Sequence, residues 1–251
     1  MRIARVRYEG RTSTAVIVRN TVHMVRGGPF GALERTGETA PLSKVQLLVP
    51  VKPTKIVAMA VNYWSHAGDR SVSPKPEAFL KSPSSLIAHG EAIVLPAGVT
   101  NVHAEAEVVA VIGRRAKHVL AADADQYIFG YTAGNDVSAR DWQRADTQWW
   151  RAKSADTFTA VGPWIETDLK PDRIPVEGRI GGKRIQRGDT SQLVHSIRAC
   201  IEAITAVMTL ERGDLVFTGT PETTAAMSPG DIAEVEVTGV GILRNPVIAE
   251  E

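Results

Sequence analysis

The chain has 251 residues, 43% hydrophobic and 23% charged, the proportions of a soluble globular protein with enough apolar material for a full core. Lys and Arg number 29 against 28 acids, a formal net charge of +1, so the chain as a whole carries no electrostatic footprint for nucleic acid or a membrane surface. Its single cysteine, Cys200, excludes an internal disulfide, a thiolate metal cluster and a redox pair.

The opening "MRIARVRYEG" alternates Arg with apolar residues and develops no signal-peptide core, and no window approaches the roughly 18 apolar residues of a membrane span. A cytoplasmic protein is the expectation. "RIARVRY", "STAVIVR" and "KVQLLVPV" read as short strands of a small N-terminal subdomain over residues 1–50. From residue 51 to 251 the β-type runs "KIVAMAVNY", "AEVVAVIG", "YIFGYTAG", "FTAVGPWIE", "DLVFTGT" and "DIAEVEV" dominate, separated by Gly, Pro, Asn and Asp at turn positions. Strands outnumber helices without a regular strand-helix alternation, which predicts a mainly β fold with some α, of the α+β class. One long helix is expected in "DTSQLVHSIRACIEAITAVMTLERGD", where Leu193, Ile197, Cys200, Ile201, Ile204, Val207 and Met208 recur at helical spacing. Asp189 would cap its start, with Gln192 three residues on, and Gly213 would suit its end. Cys200 falls on the apolar stripe as a small core residue, with His195 a structural neighbour.

"VHAEAEVVAVIG" sets Glu105 and Glu107 two apart, so both carboxylates project from one face of a strand, roughly 7 Å apart at Cβ. An isolated Glu-x-Glu is ordinarily a solvated pair on an edge strand; the continuous apolar "VVAVI" that follows points instead to a buried one. Asp136, in "YTAGNDVSARD", follows another packed stretch. Three carboxylates meeting there would repel one another and call for a hard divalent cation, Mg²⁺ first, with Mn²⁺ or Ca²⁺ of the same donor class. Asp141 is the alternative third ligand; with Asp136 preferred, Arg140 and Asp141 are left to pair or contact neighbours. Further polar groups stand at Asn62, Tyr63, His66 and Asp69, at Lys153, at Gln186 and Arg187, and at Thr218 and Thr220.

Taken in order, "NYWSH", "FLKSPSSLI", "AEAEVVAVIG", "GYTAGNDVSARDWQ", "AKSADTFTAVGPWI", "GDLVFTGTP" and "PGDIAEVEVTGVGILRNPV" resemble the fumarylacetoacetate hydrolase family, from about residue 52 to the C-terminus. The resemblance implies mixed β-sheets in a sandwich-like roll around the site, usually in a homodimer, with the metal at Glu105, Glu107 and Asp136. It also implies that His66, on a lid segment, activates water with Asp69 as its acid partner, where the family often has Glu. Lys153 matches a lysine near the metal; Tyr63, Arg140 and Gln143 match substrate-side positions; Thr220 matches a threonine that meets the substrate carboxylate. Thr223 departs from the glycine that many relatives place two residues after the proline of "GTPETT".

These groups suit a substrate that is a 2-oxo or diketo acid. Such a molecule chelates a divalent ion, and cleavage beside its carbonyl leaves an enolate that the ion stabilises. The implied activity is hydrolysis of an acylpyruvate-like or fumarylacetoacetate-like diketo acid. Decarboxylation of a β-keto acid and isomerisation of a 2-hydroxymuconate-type enol pass through the same enolate; a non-catalytic binding protein is the reading from another class.

Overall fold

The computed structural model describes residues 1–68 and 71–251. Its largest sheet, of twelve strands among the described residues, has at its centre Thr159–Glu166, Ile128–Asp136, Ala106–Ile112, Leu215–Phe217 and Ile56–Met59, with Ala78–Lys81 on the edge. Ala106–Ile112 and Ile128–Asp136 run antiparallel with Ala106 opposite Asn135 and Glu107 opposite Gly134. Ala106–Ile112 is buried on both faces, which is why its sequence is a continuous apolar run and not an alternation. Val109 and Val111 pack with Val161, Ile165 and Phe217 on one side. On the other, Val108, Ala110 and Ile112 meet Val176, Val235 and Leu243 from a five-stranded sheet. Two stacked sheets with few and short helices make this the mainly β, α+β architecture expected from the sequence.

Residues 1–50 supply the strands Arg2–Tyr8, Arg11–Val18, Thr21–Arg26, Glu34–Pro41 and Gln46–Leu48, with an apolar cluster of their own built on Val6, Ala15, Val22 and Met24. Their sheet is continuous with the large one, through Arg2 opposite Glu166 and Ile3 opposite Ile165.

The expected long helix is shorter and starts later. Asp189 does form a capping box with Gln192, but around a separate 3₁₀ turn, Thr190–Gln192. Leu193 then becomes extended, Ser196 caps Ala199 N–H, and the α-helix runs Ile197–Val207. Gly213, at φ +93°, serves the turn before Leu215–Phe217, well beyond the helix end. Two side-chain-to-backbone locks explain the interruption: Asn62 Oδ1 accepts His195 N–H at 2.9 Å, and Asn62 Nδ2 donates to His195 O at 3.1 Å. Cys200 is fully buried on the apolar face, and burial raises its thiol pKa to about 12, as befits a core residue. Among the described residues no helix is long and apolar enough to cross a membrane.

Candidate active site

Antiparallel pairing brings the acidic residues together. Glu107 lies on Ala106–Ile112, and Asp136 ends the neighbouring strand. Glu105 sits in a break between Val102–Ala104 and Ala106–Ile112, where its N–H donates to Asn135 Oδ1 at 2.9 Å and its carbonyl accepts Asp136 N–H at 3.0 Å. Asn135 thus fills the gap left by a missing ladder bond. Carboxylate oxygens of Glu105, Glu107 and Asp136 all lie within 4.8 Å of one another, and all three residues are buried. Asp141 instead pairs with Arg144 at 2.7 Å on the exposed side, which removes it as a ligand and leaves Arg140 to another partner.

The cations are distributed unevenly. Lys153, on the short helix Trp150–Ser154, bridges Glu105 Oε2 at 2.6 Å and Asp136 Oδ2 at 2.7 Å. Arg140 pairs with the other oxygen of Glu105. Lys81, at the end of the edge strand, pairs with Asp136 Oδ1 and donates to the carbonyls of Lys153 and Phe158, the latter at 3.1 Å. It therefore holds both the ligand strand and the helix that carries Lys153. Glu107 ion-pairs with no lysine or arginine among the described residues, and its Oε2 accepts Gly219 N–H at 2.7 Å. Among the described residues, repulsion among carboxylates is thus answered by protein cations at Glu105 and Asp136 and left open at Glu107.

The titration directions follow. Burial works to raise Glu105, but Lys153 and Arg140 outweigh it and hold the carboxyl well below its usual range. Burial and then the charges of Asp136 and Glu105 push Glu107 well up. Lys153 is raised because Asp136 and Glu105 overcome its desolvation, whereas burial dominates at Lys81 and lowers it.

A cavity of about 230 Å³ opens over this group, walled by Glu105, Glu107, Lys153, Arg140, Gln143, Thr220 and His66. Arg140 Nη1 donates to Gln143 Oε1 at 2.7 Å. His66, on the helix Trp64–Ala67, has Nδ1 at 2.7 Å from the carbonyl of Glu222. Because a carbonyl only accepts, Nδ1 carries a hydrogen, so in the neutral imidazole the lone pair is on Nε2. Glu222, at φ +53°, is held by Ser65 Oγ, which accepts its N–H at 3.0 Å, and by Arg187 N–H, which donates to its carboxylate at 2.8 Å. Asp69, the expected acid partner, lies outside the described residues.

Of the expected substrate contacts Tyr63 and Thr220, the second lines the cavity and the first does not. Tyr63 is fully buried and is not part of the cavity wall; among the described residues its hydroxyl has no hydrogen-bond partner, and burial, then Glu107 and Asp189, push its pKa up. Thr220 does line the cavity, but its hydroxyl donates to Ala106 O at 3.0 Å and accepts from Gln186 Nε2 at 2.7 Å, so a carboxylate would have to displace a bond to receive its hydrogen. Lys81, Asn135 and Glu222 were given no role by the sequence. The one local signal was at Lys81, a lysine closing the apolar run "AFL".

Residues 55–248 match the family model described as fumarylacetoacetate (FAA) hydrolase, C-terminal, and residues 1–50 match one described as Rv2993c-like, N-terminal. Protein Rv2993c of Mycobacterium tuberculosis is 44% identical over 233 residues, which span 91% of this chain and 88% of the relative. Among solved structures, 5-carboxymethyl-2-hydroxymuconate delta-isomerase from Mycobacterium smegmatis is 40% identical with a TM-score of 0.95, each chain covered in full. Maleylpyruvate hydrolase from Sphingobium sp. SYK-6, in complex with manganese (II) ion and pyruvate, is 28% identical with a TM-score of 0.84, again over 100% of each chain.

Proposed function

The chain belongs to the fumarylacetoacetate hydrolase family, and from that premise we propose that it is a divalent-metal-dependent enzyme that hydrolyses the C–C bond of a diketo acid through an enolate. The observation that carries this reading is a cavity walled by Glu105, Glu107, Lys153, Arg140 and His66, with the buried Asp136 placing a carboxylate oxygen within 4.8 Å of those of both glutamates. The all-oxygen donor set of Glu105, Glu107 and Asp136 fits a hard divalent ion, and Glu107 is the buried charge that such an ion would balance. Mg²⁺ is the first choice, with Mn²⁺ and Ca²⁺ of the same class. Bound there, the ion supplies a Lewis acid for the substrate's carbonyl oxygens.

The protein's own residues do the rest. Nε2 of His66 takes a proton from water as the oxygen attacks the distal carbonyl carbon. The C–C bond then breaks with its electron pair moving into the enolate, and the imidazolium returns the proton to carbon. Lys153, already bonded to two carboxylates, offsets negative charge as the enolate forms. Arg140 and Gln143 orient the substrate carboxylate. In this proposal the Glu222 carbonyl, 2.7 Å from Nδ1, orients the ring, and Asp69 would act as acid partner only by sharing that N–H.

Isomerisation of a 2-hydroxymuconate-type enol is the second reading, favoured by the likeness to the Mycobacterium smegmatis isomerase. It uses the same base to carry a proton between oxygen and carbon, with no water. The exposed Trp64, Leu80, Trp150 and Val207 support a homodimer as part of the proposal, which light scattering would register as twice the chain mass of 27.1 kDa.

The test gives metal-stripped protein Mg²⁺ or Mn²⁺ and then either an acylpyruvate or 5-carboxymethyl-2-hydroxymuconate. Pyruvate release that stops with chelator and with His66→Ala supports hydrolysis. Loss of enol absorbance without C–C cleavage selects isomerisation. No turnover with either ion removes both readings and leaves a binding protein.

A further inference from the structure

His103 has no part in the chemistry above, yet it is bonded at both ring nitrogens. It lies on Val102–Ala104, the middle strand of a three-stranded sheet, with Ser138–Ala139 on one side and Ala225–Ala226 on the other. Arg140 follows the first neighbour directly and Thr224 precedes the second. The sheet therefore sets His103 between the segment that delivers Arg140 and the one that delivers Thr224.

The polarity of the bonds can be worked out. Asn101 Oδ1, 2.7 Å from His103 Nε2, is an amide oxygen and only accepts, so Nε2 carries the ring hydrogen. Nδ1 then has the lone pair, and the Thr224 hydroxyl at 2.7 Å donates to it. With its hydrogen so directed, Thr224 Oγ1 accepts from Arg140 Nη2 at 2.9 Å. Asn101 closes the loop, since its carbonyl accepts Arg140 N–H at 2.8 Å. The guanidinium is thus held at Nη2 by Thr224 and Glu105 and at Nη1 by Gln143.

We propose that His103 and Thr224 are positioning residues that hold the Arg140 guanidinium in the orientation in which it receives the substrate carboxylate. This rests on the proposed role of Arg140 in carboxylate binding. A flexible arginine loses rotamer freedom when it clamps a ligand, and a hydrogen-bonded chain ending on a neutral imidazole removes that freedom beforehand. The imidazole is the right terminus because its Nδ1 lone pair turns the threonine hydroxyl into an acceptor for the arginine.

The experiment uses oxalate, a planar dicarboxylate, as the probe, titrated calorimetrically into the Mg²⁺-loaded protein. Thr224→Val keeps the shape and removes the hydroxyl; it should weaken oxalate by about three- to tenfold, the span expected for one side chain left to be ordered on binding. His103→Phe should do the same, while Mg²⁺ affinity stays within about twofold, a range small against one tenfold step. Thr224→Ser should restore binding. In Arg140→Met, which should itself bind oxalate more weakly, adding Thr224→Val should have no further effect. Imidazole ¹⁵N shifts should show His103 with its hydrogen on Nε2 in the wild type and a change at Nδ1 in Thr224→Val. Wild-type affinity in Thr224→Val alongside weakened Arg140→Met would overturn the positioning role and leave the arginine's intact. So would a loss that Thr224→Ser does not repair. Wild-type affinity in Arg140→Met removes the carboxylate role of Arg140, and the positioning role falls with it.

Discussion

Replacing Lys81 with Met asks how much of the site's frame depends on one buried ammonium. The Lys81 side chain has no exposed surface, and its Nζ serves Asp136 Oδ1 and the carbonyls of Lys153 and Phe158. Removing one partner of a buried ion pair costs about 3–5 kcal/mol. Lys153 still pairs with Asp136 at 2.7 Å, which favours the lower end of that span. Two carbonyls lose a donor as well, at about 1 kcal/mol each. A net loss of about 5 kcal/mol follows, or a fall in Tm of about 10–20 °C at the 2–4 °C per kcal/mol usual for a chain of this size. Urea unfolding in the presence of chelator measures it without a bound cation replacing the lost charge. In a double-mutant cycle with Asp136→Asn the two changes should couple by about 1–3 kcal/mol, because the neutral amide no longer strands a buried charge. A loss below about 1 kcal/mol, or additivity within about 0.5 kcal/mol, would refute the account of Lys81 as the counter-ion that holds Asp136.

Glu107→Ala should abolish calorimetric binding of Mg²⁺ or Mn²⁺, since it removes a buried oxygen donor and the carboxylate that has no cation partner among the described residues; wild-type affinity would move the ion elsewhere. Asp214 accepts Thr54 N–H and Oγ1–H at 2.8 Å, Lys55 Nζ at 2.7 Å and Glu211 N–H at 2.7 Å, and these outweigh the effect of burial to lower its pKa. Its contribution is therefore present above the unfolded-state value and lost as pH falls through the folded one. Asp214→Asn should be about 2–3 kcal/mol less stable than wild type near pH 7, with the difference narrowing below about pH 4, and parallel stability curves would count against it. At Gly134 an added Cβ would lie 2.5 Å from both Phe217 Cε1 and Val109 Cγ2, so Gly134→Ala should cost about 1–3 kcal/mol and weaken ion binding by displacing the strand that ends in Asp136. Unchanged stability there would mean that the strands separate more easily than their packing suggests.

What the sequence determined by itself was mostly local. A two-residue spacing of glutamates before "VVAVI" marked a buried acidic pair, the apolar runs marked a strand-rich fold, and the stripe through Cys200 marked a core helix. Each depends on neighbours within a few positions, where periodicity and burial are coupled directly. The packed stretch before Asp136 made it the preferred third carboxylate over Asp141, and the resemblance of the motifs carried this further, to the family.

Tertiary structure decided the partners. Lys81 meets Asp136 across 55 residues, Arg140 meets Glu105 across 35, and Lys153 meets Glu105 across 48. The helix beginning shows the same limit: Asp189 and Gln192 form the capping box that their spacing predicts, yet Asn62, 133 residues away, holds His195 outside the helix and shifts its start to Ile197, capped by Ser196. The resemblance sets Tyr63 among the substrate-side positions, and its complete burial is visible only in the packed structure. Local pattern fixes which groups a segment must bury or expose; which charge meets which depends on strand register and chain crossings, and those are set only when distant apolar faces have packed.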